Sequence, residues 1–322
     1  MNMPHDSQFA ATGAAPRIAV IIPCYNEAVA IPLVVADFRA ALPEATIFVY
    51  DNNSQDGTAE VARAAGAIVR RETLQGKGNV IRRSFADVDA DIYVLVDGDD
   101  TYDAARAPEM VALLRREGLD MVNGARVTDI EKAYRPGHRL GNLVLTGMVR
   151  MVFGNRISDM LSGYRVFSRR FVKSFPALAG GFETETEFTV HALDLKMPVG
   201  EVMTAYKDRP AGSTSKLRTY SDGVRILRTI VVLVKEERPL QFFSICGLVL
   251  LVLAILLGGP VVSEFLRTGL VPRLPTAVLA MGLVLIAALS FACGLVLDSV
   301  SRGRKEVKRL AYLSISAPPH LP

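Results

Sequence analysis

The sequence predicts an α/β domain on a mostly parallel sheet, followed by a helical hairpin able to cross a membrane. Three observations predict it. From Arg17 to about Tyr206, short apolar runs alternate with amphipathic helical patterns, which is how strand–helix–strand units read. The segments after those runs are polar and rich in carboxylates, where α/β folds bind ligands. Finally, 240–263 and 274–297 carry no formal charge, and each spans about 24 residues against the ~20 needed to cross a bilayer core.

The elements follow in order. Residues 18–23 (Ile-Ala-Val-Ile-Ile-Pro) form a buried strand, and 28–42 a helix that Pro43 stops. Residues 46–50 form the second strand and 57–65 the second helix; 67–70 and 78–85 repeat the alternation. The run 92–96 (Ile-Tyr-Val-Leu-Val) is the fourth strand, 104–117 the next helix, and 120–123 the fifth strand. A further helix opens at Gly180 and runs through His191, with Glu183, Glu185 and Glu187 near its positive end.

Composition sets the limits. The chain has 322 residues, 50% hydrophobic and 22% charged, with a net charge of +4. The mean hydropathy of +0.27 comes from the two late runs and not from an apolar chain throughout. Three cysteines, Cys24, Cys246 and Cys293, make no disulfide framework and fit a reducing compartment. No nucleic-acid partner is expected. Residues 1–16 read as a disordered N-terminus without a targeting segment. Lys235, Glu236, Glu237 and Arg238 precede the first apolar run, and Arg302, Arg304, Lys305, Lys308 and Arg309 follow the second. The short linker holds only Arg267 and Arg273, so the positive-inside bias puts both ends and the large domain in the cytoplasm.

The chemistry gathers after the strands. Asp97-Gly98-Asp99 puts two carboxylates two residues apart at the end of an apolar strand. They repel unless a cation sits beside them, and hard oxygen ligands suit Mg2+ or Mn2+. Gly98 lets backbone approach a ligand closely. Lys77, in Gln-Gly-Lys-Gly-Asn, lacks the Walker spacing and reads as a surface lysine more readily than a phosphate ligand. His138 and His191 have no cysteine at ligand spacing, so zinc is not expected.

Ile-Pro-Cys-Tyr-Asn-Glu (22–27), Asp-Asn-Asn-Ser-Gln-Asp-Gly-Thr (51–58) and Asp-Gly-Asp (97–99) together resemble family 2 glycosyltransferases of the GT-A fold. Asp-Met-Leu-Ser-Gly-Tyr-Arg (159–165), Tyr-Lys-Asp-Arg (206–209) and Gly-Ser-Thr-Ser-Lys (212–216) resemble the dolichyl-phosphate mannose synthases and their bacterial relatives. The resemblance covers roughly residues 17–235. It implies transfer of a sugar from a UDP- or GDP-sugar to a polyprenyl (undecaprenyl or dolichyl) phosphate, with inversion and a divalent cation. It implies that Pro23, Tyr25 and Glu27 line the nucleotide, and that Val49 and Asp51 hold its base. By the same resemblance, Asp97 and Gly98 contact the ribose or sugar diphosphate and Asp99 ligates the metal, with Asp97 beside it. Arg209 and Lys216 clamp the donor diphosphate or the acceptor phosphate, and Arg126 and Arg165 lie at the acceptor phosphate. Asp97, Asp99 and Arg209 are the candidate catalytic residues.

The domains predicted are 17–217 for the GT-A unit, 218–238 for a basic amphipathic juxtamembrane helix, 239–300 for the hairpin and 301–322 for a cytoplasmic basic tail. The protein would be a multi-pass protein of the cell (inner) membrane, with lipid bilayer, donor and acceptor as partners and a homo-oligomer left open. The chain has no Trp, so the Gln-x-x-Arg-Trp pattern of processive synthases cannot occur. Two alternatives stay open: a different lipid or lipid-linked oligosaccharide acceptor, and a non-catalytic membrane scaffold of the same fold.

Overall fold

The computed structural model describes residues 15–127, 157–178, 180–181, 183–208, 210, 231–232, 235–236 and 238–317. The chain divides into two compact units, Met1–Arg218 with Lys308–Pro322, and Thr219–Val307.

The first unit holds the sheet. Its strands are β1 (Ile18–Cys24), β2 (Thr46–Asp51), β3 (Ile68–Arg71), β4 (Ile92–Leu95), β5 (Met121–Val127), β6 (Arg165–Ser168) and β7 (Val199–Ala205), in the order β3-β2-β1-β4-β6-β5-β7. All pairings are parallel except those of β6, which runs antiparallel between β4 and β5. The chain winds outward from β1 through β2 to β3, then returns to the other side of β1 with β4. That reversal opens a crevice at the carboxyl ends of β1 and β4.

The helices cover the sheet for legible reasons. Helix α1 (Ile31–Ala41) has Pro32 in its first turn and buries Ile31, Val34, Val35 and Phe38, one face at helical spacing. Helix α2 (Thr58–Ala64) follows Gly57 at φ +82. Helix α3 (Lys77–Asp87) buries Val80, Ile81, Ser84 and Phe85. Helix α4 (Ala107–Glu117) ends at Gly118, a left-handed cap that a side chain would strain. Helix α5 (Arg169–Ser174) is capped by Ser168, whose hydroxyl accepts from Phe171 N. Helix α6 (Thr184–Asp194) completes the set.

The alternation through β5 matches the sequence reading to within a few residues. The exceptions are informative. Strand β5 continues four residues beyond Asn123, since its whole length pairs with β7. Strand β6 is not signalled by its four residues, one of which is a buried arginine. The helix expected from Gly180 begins at Thr184.

The second unit contains α7 (Pro239–Thr268) and most of α8 (Leu274–Leu313), each long and apolar enough to cross a membrane. Apart from Pro239 at the start of α7, their buried positions repeat every seven residues: Gly247, Ala254 and Val261 on α7, and Ala280, Ala287 and Gly294 on α8. A Cβ at Gly247 would lie 3.1 Å from Ala287 O, and one at Gly294 3.1 Å from Phe243 Cβ, so small residues let the helices close on each other. Most leucine, isoleucine and valine side chains elsewhere on both helices are exposed. Most of the expected amphipathic segment 218–238 lies outside the described residues.

Candidate active site

Two loops at the crevice are laced together. After β1, Asn26 N donates to Ser54 Oγ at 2.9 Å, Glu27 N to Thr58 Oγ1 at 2.9 Å and Ala28 N to Asp56 Oδ2 at 3.0 Å. In return Gln55 N donates to Asn26 Oδ1 at 2.8 Å. Asn26, Asn53 and Asp100 all take left-handed backbone at φ 54, 66 and 57, one in each loop after β1, β2 and β4. Asn and Asp tolerate that conformation better than most residues, and such positions gather at ligand sites.

Asn52 extends the lattice to the next loop. Its amide donates to Glu72 O at 2.9 Å and Leu74 O at 2.8 Å, while its oxygen accepts from Gly76 N at 2.7 Å. Gly76 sits at φ +128, and a Cβ there would fall 2.2 Å from Gly180 O. Only glycine meets both demands. The result fixes where α3 starts, and α3 starts with Lys77.

Lys77 is the main correction to the sequence reading. Its side chain is 7% exposed, and its ammonium pairs with Asp97 Oδ1 and, at 2.5 Å, with Glu185 Oε1. Burial opposes that charge, but two carboxylates outweigh it and hold the ammonium well above the ordinary lysine range. Burial, with the like charge of Asp97, leaves Glu185 above the ordinary glutamate range. Glu185 Oε2 is buried and has no hydrogen-bond partner among the described residues. Glycines on both sides of Lys77 are the signal that the chain passes close to other backbone here.

The acidic pair sits beyond β4. Asp97 is 29% exposed in its side chain. Asp99 is buried, and its Oδ1 accepts from Thr101 Oγ1 at 2.6 Å. Between them Gly98 packs so closely that a Cβ would meet Cys24 Sγ at 2.6 Å. Among the described residues, no three His, Cys, Asp or Glu side chains are grouped to hold a metal. Two carboxylates of this kind would suit a hard divalent cation.

Tyr102 is buried close to Asp97. Its hydroxyl accepts from Gly163 N at 2.8 Å, and its ring lies 5.4 Å from that of Tyr206. Arg126, at the end of β5, makes a two-pronged pair with Asp159: Nε to Oδ2 at 2.7 Å and Nη2 to Oδ1 at 2.9 Å. Burial pushes Asp159 up, but the guanidinium prevails and holds it below the usual carboxylate range.

The remaining expected residues divide. Asp51 is buried at the end of β2 and lines a cavity of about 190 Å3 together with Ser54, Thr58, Arg63, Arg70 and Arg71. Pro23, Tyr25 and Glu27 lie on the strand end and loop beside it, Tyr25 exposed and Glu27 buried. Val49 does not reach that cavity; two residues back along β2, on the same face as Asp51, it is fully buried in the apolar core. Arg165 is likewise corrected. It is wholly buried, donating from Nη2 to Met160 O at 2.6 Å, Nε to Ser162 O at 3.1 Å and Nη1 to Thr189 Oγ1 at 2.9 Å. Its donors are taken up by the 160–162 loop and Thr189, so no exposed guanidinium is left for a phosphate. Glu187 Oε1 accepts from Leu178 N at 2.9 Å. Arg209 and Lys216 lie outside the described residues.

Comparison with known proteins agrees with this geometry. The sequence model for glycosyl transferase family 2 matches residues 19–175. The glycosyltransferase AglJ of Haloferax volcanii is 31% identical over 303 residues, covering 92% of this chain and 98% of that one. The dolichyl-phosphate hexose transferase of the same organism is 28% identical over 221 residues, 69% of this chain and 95% of its own. Among solved structures, glucosyl-3-phosphoglycerate synthase from Mycobacterium tuberculosis, in complex with Mn2+, UDP-glucose and phosphoglyceric acid, superposes with a TM-score of 0.54. It is 23% identical, over 68% of this chain and 79% of that one, and so shares the fold.

Proposed function

This chain belongs to glycosyl transferase family 2, and from that premise we propose that it moves a hexose from a nucleotide-sugar to a polyprenyl phosphate at the cytoplasmic face of a membrane. One observation carries the reading: Asp51, Asp97 and Asp99 stand at the carboxyl ends of β2 and β4, on either side of β1, around a crevice that Lys77 also enters. The acceptor class is supported by the dolichyl-phosphate hexose transferase relative and by two helices suited to a bilayer.

The chemistry follows from charge. An acceptor phosphate monoester, with a second pKa near 6, is already ionised at cytoplasmic pH. Its oxygen attacks the anomeric carbon as the bond to the diphosphate breaks, which inverts that centre, and no protein base need take a proton. Asp51 supports the base, while Pro23, Tyr25 and Glu27 bound the nucleotide. Asp97 and Asp99 would hold Mg2+ or Mn2+, whose charge would offset that of the departing diphosphate. Arg126, Arg209 and Lys216 are the cationic groups proposed for the phosphates.

The test uses the full chain in membranes, a panel of UDP- and GDP-sugars, and undecaprenyl phosphate as acceptor, with diacylglycerol as the control. Sugar transfer to the lipid phosphate with one donor, abolished by chelation and by Asp99→Asn, is the expected result. Transfer to diacylglycerol alone, or undiminished transfer by the Asp99→Asn protein, overturns it.

A further inference from the structure

We infer that Lys77 is a resident counter-ion that makes cation binding at Asp97 and Asp99 conditional on a bound nucleotide diphosphate. The inference rests on the reading of the crevice as a nucleotide-sugar site. Lys77 already occupies Asp97 Oδ1, and Thr101 already occupies Asp99 Oδ1. A divalent cation arriving alone therefore meets two partly engaged carboxylates and a nearby ammonium, and no third acidic or imidazole ligand is grouped with them among the described residues. A diphosphate changes that balance. It brings oxygen ligands for the cation and negative charge that offsets the ammonium.

Lys77 is not free to withdraw into solvent. The Asn52 amide fixes the turn that precedes it, Gly76 lies against the Gly180 carbonyl, and Glu185 grips the ammonium as a second carboxylate. Glu185, 6% exposed in its side chain, thus sets how firmly Lys77 leans on Asp97. The two residues should act with opposite sign. Without the ammonium, Asp97 has both oxygens for a cation and Glu185 adds an unneutralised charge, so bare cation binds better. Without the Glu185 charge, the ammonium leans more on Asp97 and the cation binds worse.

The experiment titrates Mn2+ into the purified full-length protein and follows the free Mn2+ signal by electron paramagnetic resonance, alone and with UDP or GDP. In the wild type, nucleotide should tighten Mn2+ binding by about tenfold or more, within the ordinary range for coupled sites. Lys77→Met should bind Mn2+ alone about tenfold more tightly and gain less from nucleotide; Glu185→Gln should bind it more weakly than wild type under both conditions. Variants that match wild type in Mn2+ affinity overturn the role of Lys77 while leaving the site reading intact. A wild type that takes up neither nucleotide in the presence of Mn2+ overturns the site reading itself.

Discussion

Gly163 lies directly against the Asp97 carboxylate: a Cβ at Gly163 would fall 2.2 Å from Asp97 Oδ2. The same residue donates its N–H to Tyr102. Gly163→Ala must therefore push Asp97 aside, and with it the Lys77 pairing. A displacement of about 1 Å at reacting groups costs roughly a hundredfold in rate. Sugar transfer by Gly163→Ala should fall by about that factor while the circular dichroism spectrum is unchanged; a rate near wild type would show that Asp97 has room to move.

Asn52 makes three hydrogen bonds to the 72–76 segment, all at 2.9 Å or less. Asn52→Ala leaves buried carbonyls and an amide without partners, and we expect a loss of about 2–3 kcal/mol in thermal unfolding. Nucleotide affinity should drop as well, since Lys77 follows the segment Asn52 fixes. Asn52→Asp should be no better, because a carboxylate oxygen would then face the carbonyls of Glu72 and Leu74.

How much of this was legible beforehand depends on what each residue touches. The apolar strands and the loops after them were readable because burial on both faces leaves continuous runs such as Ile18–Ile22. Asp97 and Asp99 were readable because two acids after such a run are conspicuous. Lys77 was not, since its partners stand 20 and 108 residues away and a lysine between glycines reads as solvent-exposed. Arg165 misled in the opposite direction: a motif arginine suggests a ligand, yet here its donors meet backbone carbonyls of its own loop. Strand β6 escaped because four residues enclosing an arginine show no period. What local pattern cannot convey is which distant element a side chain meets.

His191 offers a pH test. Its Nε2 meets Ser174 Oγ at 3.2 Å, its Nδ1 has no hydrogen-bond partner among the described residues, and it lies edge-on to Phe171 and Phe175. Burial, with a smaller push from the Lys308 charge, lowers it from 6.5 to about 3. Between those values the unfolded chain binds a proton that the folded chain refuses. Stability is therefore intact above about pH 6.5 and declines as the pH falls, at most on the order of 1.4 kcal/mol per unit from this group. His191→Gln should flatten that part of the profile, measured as the difference from wild type so that the carboxylates cancel. Parallel profiles for the two proteins would show that His191 titrates normally.

Asp120 supplies the last test. It is fully buried at the start of β5, and its Oδ1 accepts from Ser168 Oγ at 2.7 Å and from Arg170 Nε at 2.5 Å. Its Oδ2 accepts from Arg170 Nη2 at 3.0 Å and from Tyr312 Oη at 2.8 Å. The Arg170 guanidinium also lies 4.8 Å over the Tyr312 ring, so the last turn of α8 is built into the α/β unit through one carboxylate. Arg170→Met removes the only cation paired with Asp120 among the described residues and should cost about 3–5 kcal/mol, the usual result of stranding a buried charge. Tyr312→Phe should cost about 1 kcal/mol, because Oδ2 keeps Arg170. The double variant should cost measurably more than the two losses added, since with Arg170 gone Tyr312 is the one remaining donor to Oδ2 among the described residues. Unfolding of all four proteins in detergent measures this, and strictly additive losses would mean that the tail and Arg170 act on the domain independently.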